Sequence, residues 1–292
     1  MAMLKNNTIL LILALIIGIV PAISGQKSKV YKTFKDTRVI NSHSSETLPA
    51  GKLDFRIGHR FGDIAGVSGG WPTFYGFESS SDVLTGFEYG LTNKFMVGIN
   101  RCKGSGPLKQ NVNGLAKLKF FDQEVDGNTS FTFSLLGLAT YSTMQKSTSE
   151  GVLNFFAKDA HRFSYHVELV AGRKFSERFS FQVSGGVTHR NIVASNDQNS
   201  IVSIGAASRI QISKAIGLIL EAKKPFSNTR KGLEYMPIGV GFEWETGGGH
   251  VFQMNLTNAT GISETDYIPY TNSDFRKGEF RLGFTISRLF SL

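Results

Sequence analysis

Asp54, Arg56, Glu88, Lys117, Lys119, Glu168, Arg209, Glu221, Glu243 and Arg281 each sit in a stretch where apolar and polar residues alternate, and each falls on the polar phase. Charged groups collected on one side of such stretches can act in two ways. They can line a polar pathway that selects a small solute. They can also pair with one another and fill the space they face, because charges withdrawn from water need partners. His166 and Glu168 share that polar phase at i, i+2, but a metal ion would need at least one further ligand from another element. The six histidines form no HxH or HExxH pattern, so no metal and no other cofactor is expected. His59 and His189 lie on the opposite, apolar phase, where a histidine could serve a hydrolase working on lipid. That chemistry needs a serine within hydrogen-bond reach and a group to orient the ring. Neither histidine is followed two residues later by serine; only His43 is, at Ser45, in the polar segment before the first alternating stretch. No catalytic residue is assigned, and the chain is not expected to be an enzyme. Cys102 is the only cysteine, which excludes an intrachain disulfide and a cysteine metal cluster.

The elements that must carry these residues are β-strands. From Leu53 to Phe61, Leu53, Phe55, Ile57 and Phe61 share one face, and Lys52, Asp54, Arg56 and Arg60 share the other; a helix would mix the two sets. The same period of two returns along the chain, through Phe163–Leu169 and Phe179–Val187 to Phe280–Leu292, and gives about twelve strands, an even number as single-chain bacterial outer-membrane barrels have. A soluble sandwich also alternates. Two features favour a closed antiparallel transmembrane barrel. The polar phases are rich in Gly, Ser, Ala and Thr, which suits a crowded interior better than a water-facing surface. The connections alternate between short turns, at Thr92-Asn93, Ser176-Glu177 and Lys214-Ala215, and long stretches, at 62–81, 142–161, 224–235 and 258–278. The ten charged residues then become lumen-lining candidates. With about twelve strands the cross-section is small, so ion pairs filling the lumen are favoured over an open path. A one-residue slip of the first strand would turn Arg56 into lipid, where a cation near the midplane costs about 2–4 kcal/mol, so register is strongly specified.

The ends carry separate signals. Lys5, an apolar run from Ile9 to Val20, Pro21 and the small residues Ala22, Ser24 and Gly25 form the pattern of a secretory signal peptide. The run is shorter than the roughly 20 residues a spanning helix needs. Residues 1–25 are therefore expected to be removed, residues 26–50 to form a polar, basic segment on the periplasmic side, a disordered leader in preference to one that contacts a periplasmic partner or covers the barrel's lower opening, and residues 51–292 to form the barrel. Removing residues 1–25 takes away Lys5 and no acidic residue, so the formal charge of +9 falls to +8. The basic residues are scattered, and an exported chain is not expected to meet nucleic acid; anionic head groups, acidic solutes or lumenal carboxylates are the expected counterparts. The expected partners are outer-membrane lipid, the Sec export route and the barrel-assembly machinery. The last strand ends on Phe290 and Leu292, close to the terminal aromatic pattern that such machinery reads. Arg288 falls in its apolar phase and is expected to snorkel to the interface.

Two blocks, TRVINSHSSETLPAGKLDFRIGHRFG over 37–62 and a second from Gly76-Phe-Glu through TGFEYGLTNKFMVGINR over 85–101, resemble a Bacteroidetes-type family of outer-membrane barrels. The resemblance implies the barrel fold and outer-membrane location, and no functional residues carry over with it. The leading expectation for role is a narrow or gated conduit for a small polar solute. The alternative is a closed structural or interaction barrel working through its loops or N-terminal segment, with an outward-facing lipid hydrolase third. The aromatics Trp71, Phe74, Tyr75 and Phe77 in one long loop, and Tyr267, Tyr270 and Phe275 in another, could bind a surface partner, fold over the mouth or sit at the membrane interface.

Overall fold

A computed structural model describes residues 30, 32–125, 129–230, 232, 236–246 and 248–292. Residues 1–25, where a signal peptide is expected, lie outside the described residues, as do Lys27 and Lys29. Twelve strands form: β1 (Lys52–Phe61), β2 (Ser80–Gly90), β3 (Phe95–Cys102), β4 (Asn111–Phe121), β5 (Thr132–Ser142), β6 (Phe163–Lys174), β7 (Phe179–Arg190), β8 (Ser200–Gln211), β9 (Ile216–Phe226), β10 (Ile238–Thr246), β11 (His250–Thr257) and β12 (Arg281–Ser291). Each pairs antiparallel with its sequence neighbours, and β1 closes on β12 from Lys52↔Ser291 to Arg60↔Gly283. The closed sheet has no free edge, its register shifting at Arg60/Phe61 and Lys119/Phe121, and closure is the condition for backbone to cross lipid as sheet. No described helix is long and apolar enough to cross a membrane.

The period of two sets which side chains face out. Val183, Val187, Val202, Ile204, Phe242 and Met254 are exposed on the outer wall, while their polar neighbours Gln182, Ser203, Glu243 and Gln253 are buried. Arg288 lies outward with its guanidinium 4.8 Å from the Phe290 ring centre. The strand ends near Lys52 and Ser291 share one rim with the tight turns after β2, β6, β8 and β10 and with the longer β4–β5 connection; the remaining connections, most of them long, emerge at the other rim.

The leader departs from the sequence expectation. Thr33, Phe34 and residues 36–48 are buried. They form a narrow hairpin that enters the lumen from the short-turn rim. It reverses at residues 39–42, where Val39 donates its N–H to the Ser42 carbonyl (2.9 Å) beside an Arg38↔His43 bridge, and returns to Gly51, whose N–H meets the Gly90 carbonyl (2.9 Å). The cause is complementarity that a strand-by-strand reading misses. Inward-facing apolar residues interrupt the polar phases and meet the hairpin's own. Phe34, Val39 and Ile40 pack on Ala207 and Ile219, and Leu48 packs on Met96, Leu115, Leu136 and Leu138.

The opposite half of the lumen is filled by the connection between β11 and β12. It carries a short helix, α1 (Glu264–Tyr270), whose residues Glu264–Pro269 are buried. Tyr267 and Ile268 pack with Ile201 and Ala259, and Ile262 packs with Leu84 and Cys102. The hairpin and this lid loop meet in the middle, where the Ser42 hydroxyl and the Tyr267 phenol are 3.5 Å apart.

Candidate functional site

The wall charges hold the hairpin largely through its main chain. On β9, the Glu221 carboxylate accepts the N–H groups of Asn41 (3.0 Å) and Ser42 (3.0 Å), a longer one from Ile40 (3.3 Å), and the Asn41 amide (2.5 Å). Gly239 next to it leaves room for the hairpin, since a Cβ there would lie 2.8 Å from the Ile40 Cδ1. On β4, the Lys117 ammonium donates to the carbonyls of Thr37 (3.0 Å), Ser44 (3.1 Å) and Glu46 (2.8 Å). One wall anion therefore reads donors of the turn and one wall cation reads acceptors of the two legs, mainly on the main chain, with the Asn41 amide the one side chain involved.

Side-chain pairs complete the seat. Arg56 on β1 clasps Asp36 of the hairpin with both terminal nitrogens (2.9 and 2.5 Å) and also reaches Asp54 (2.7 Å), whose other oxygen accepts the Ser287 hydroxyl (2.5 Å). Glu88 accepts the Thr37 hydroxyl (3.0 Å) and lies 3.8 Å from Arg38. Lys119 bridges Glu46 (3.6 Å) and Asp122 (3.0 Å). Removing one member of such a buried set costs about 3–5 kcal/mol, because its partner is left charged without compensation.

The other candidates pair away from the hairpin's turn. Glu168 is bound by Lys223 and lies 3.6 Å from His166, whose Nδ1 shares a hydrogen bond with Thr188 (2.9 Å). Arg209 pairs with Glu243 and donates to Gln211 (3.2 Å). Arg281 belongs to the lid side, where it donates to the Ser273 hydroxyl (2.7 Å).

Alternation does not single out Asp36, Arg38, Asn41 and Glu46, because they lie in a segment outside the strands. Nor does it show that Arg60 ties the hairpin to the lid loop, by donating to the Asn41 side chain (2.8 Å) and the Ala259 carbonyl (3.1 Å). Glu264 on α1 stands 3.8 Å from both Arg38 and His43 at the centre. One signal was available: Phe34, Val39, Ile40 and Leu48 are apolar interruptions in the leader that mirror Leu115, Leu136, Leu138 and Ile219 in the polar phases.

Outside the barrel, the rings of His59 and Phe284 stack at 5.5 Å, beside Phe61. His189 differs. Its Nδ1 is 2.8 Å from the Ser200 hydroxyl, its cross-strand neighbour on β8. A search for serine along one strand could not find this pair, since ladder register creates it. No carboxylate or amide hydrogen-bonds to His189 among the described residues, so the dyad lacks the orienting third group of a hydrolytic triad. The described residues contain no group of three or more His, Cys, Asp or Glu side chains placed to hold a metal ion.

Residues 34–290 match the family model described as a membrane bound beta barrel domain (DUF5777). The chain belongs to this family. The matched stretch begins at Phe34, so the inserted hairpin is part of the DUF5777 domain as well as the strands. Membership and the sealed, apolar-walled cylinder make the protein an integral outer-membrane barrel. No curated protein matches the chain. Among solved structures, the COG4313 outer membrane channel from Pseudomonas putida F1 is similar at 14% identity and a TM-score of 0.48, over 86% of this chain and 100% of that one. A NanC porin is similar at 8% identity and a TM-score of 0.47, over 82% and 99%. A KdgM porin in complex with disordered oligogalacturonate is similar at 6% identity and a TM-score of 0.48, over 82% and 99%.

Proposed function

We propose that this DUF5777 barrel is a gated conduit for a small polar solute, held shut in the described state by the hairpin of residues 32–48. The observation that carries this reading is the way Lys117 and Glu221 bind the hairpin, through three carbonyls and the N–H groups of its turn. Main-chain donors and acceptors are what water or a polar solute could replace, so the wall is suited to an exchangeable occupant. The hairpin leaves by the short-turn rim, which is the periplasmic side in barrels of this class. The barrel-assembly machinery would insert the chain, and no enzymatic step is assigned to it.

The test is planar-bilayer conductance of the mature chain beside a variant lacking residues 32–48. The full chain should be silent or flicker rarely, and the shortened barrel should conduct steadily. A shortened barrel that folds, shown by heat-modifiable migration, yet stays silent would remove the conduit reading.

A specific feature favours a second reading, a closed barrel that binds a surface partner. Trp71, Phe74, Tyr75 and Phe77 are all exposed at the long-loop rim, and Trp71 packs edge-on to Phe74 and Tyr75 at 5.9 and 6.3 Å. Deleting residues 66–76 should abolish partner capture on that reading and leave conductance unchanged on the first.

A further inference from the structure

A second feature of the short-turn rim does not depend on the conduit reading. Where the hairpin enters the barrel, a recess of about 100 Å³ is lined by residues 32–35 of the hairpin, Phe34 as well as Lys32 and Lys35 among them, and by Lys174, Ser180, Arg209 and Gln211 of the wall. That is room for several water molecules, and so for one small oxyanion. The lining carries four cations and no carboxylate, with Glu177 and Glu46 acting on Lys174 from outside it. Lys35 is bound to Glu245 at 2.8 Å, and Arg209 to Glu243. Glu46, the next acid along the hairpin, is taken by the Thr33 N–H (2.6 Å) and by Lys119. Lys32 and Lys174 form no ion pair among the described residues, although both line the recess. Arg209 is 6% exposed, and its Nη2 is buried without a hydrogen-bond partner. A guanidinium nitrogen withdrawn from water and left unbonded costs free energy, which an anion in the recess recovers once the Arg209 side chain turns Nη2 away from Gly217 and toward it. The frame is fixed in advance. Gln123 holds both main-chain groups of Lys174, accepting its N–H (2.8 Å) and donating to its carbonyl (2.9 Å).

We infer that this recess is a binding site for a phosphate group, with the Arg209 guanidinium as the buried donor, Lys32 and Lys174 as the charge partners and the Ser180 hydroxyl as a further donor. Guanidinium and ammonium groups around a tetrahedral oxyanion give short, charge-assisted hydrogen bonds. Hairpin and wall both contribute, so an occupied site joins the two.

The experiment is calorimetric titration of inorganic phosphate into the detergent-solubilised mature chain, at constant chloride. Saturable binding of one phosphate per chain is expected. A Lys32→Gln, Lys174→Gln double variant should weaken it at least tenfold, and a Lys94→Gln, Lys214→Gln control at the same rim should bind as the parent does. Native mass spectrometry of the same samples separates the sources. Phospholipid retained by the parent and lost from K32Q/K174Q identifies a head-group phosphate; binding of added phosphate with no retained lipid identifies a free one. Either result supports the site. Absence of both, or equal weakening in the control, overturns it. Heat-modifiable migration of each variant confirms that folding is intact.

Discussion

The two segments that fill the lumen do so by different physics. The N-terminal hairpin is held mainly by charge and main-chain hydrogen bonds: Asp36 in the clasp of Arg56, three carbonyls on Lys117 and the N–H groups of the turn on Glu221. The lid loop is held by apolar packing of Ile262, Tyr267 and Ile268 against wall residues, and it is anchored at both ends by strands β11 and β12. The hairpin joins a barrel strand only at β1. Water can take over the polar contacts of the first segment, although its withdrawal also exposes Phe34, Val39, Ile40 and Leu48; lifting the second exposes Tyr267, Ile268 and Ile262, with apolar surface in either case worth about 25 cal/mol per Å². The lumen thus has one half in which charge and main-chain contacts dominate the polar seat and one half closed by a loop fixed at both ends, with apolar clusters in each.

The largest test of that contrast is the pair of deletions. Removing residues 32–48 should change the barrel from closed to conducting, and removing residues 262–272 should leave conductance near the closed level while lowering thermal stability. Opening by the lid deletion alone would reverse the assignment. Next in size, Arg56→Ala strands Asp36 and Asp54, and a loss of about 3–5 kcal/mol is expected. It should appear as tryptic cleavage at Lys35 and Arg38, with hydrogen exchange in α1 unchanged. Ile268→Ala is the mirror experiment. It should cost about 2–5 kcal/mol and speed exchange in α1 without exposing those tryptic sites.

A smaller effect is expected from pH. Burial, reinforced by Asp82, raises the Asp266 carboxyl on the lid helix to about 7, although it accepts the Ser105 N–H at 2.7 Å. The folded state therefore holds this proton more tightly than the unfolded chain, whose carboxyl has an ordinary value near 4. The associated stability is complete below about pH 4 and falls as pH rises towards about 7. Exchange in α1 should quicken over that range, and Asp266→Asn should flatten the dependence while the hairpin's protection stays constant. The smallest effect belongs to the outer wall: a His189→Ala, Ser200→Ala double variant should leave lipid hydrolysis at background and stability within about 0.5 kcal/mol, as for substitutions at exposed sites.

The aromatic loops show how a similar composition serves opposite ends. Trp71, Phe74, Tyr75 and Phe77 remain exposed, while Tyr267 is fully buried and Tyr270 stacks under Arg190 with the guanidinium 4.9 Å from its ring centre. Composition alone left the alternatives open, because surface binding, mouth covering and interface anchoring all use aromatic side chains.

The barrel itself was written in the chain. Alternation with period two determines which side chains meet lipid, and a one-residue error in any strand would place charges such as Arg56 or Glu168 there, so each strand announces itself locally. The filling of the lumen is not local. Whether Lys117 faces water or three hairpin carbonyls depends on residues about seventy to eighty positions away along the chain, from Thr37 to Glu46. The same holds for His189 and Ser200, which become neighbours only through the β7–β8 register. Sequence period fixes the direction of a side chain relative to its own strand; what stands at the end of that direction is decided by closure of the cylinder around segments that carry no period of their own.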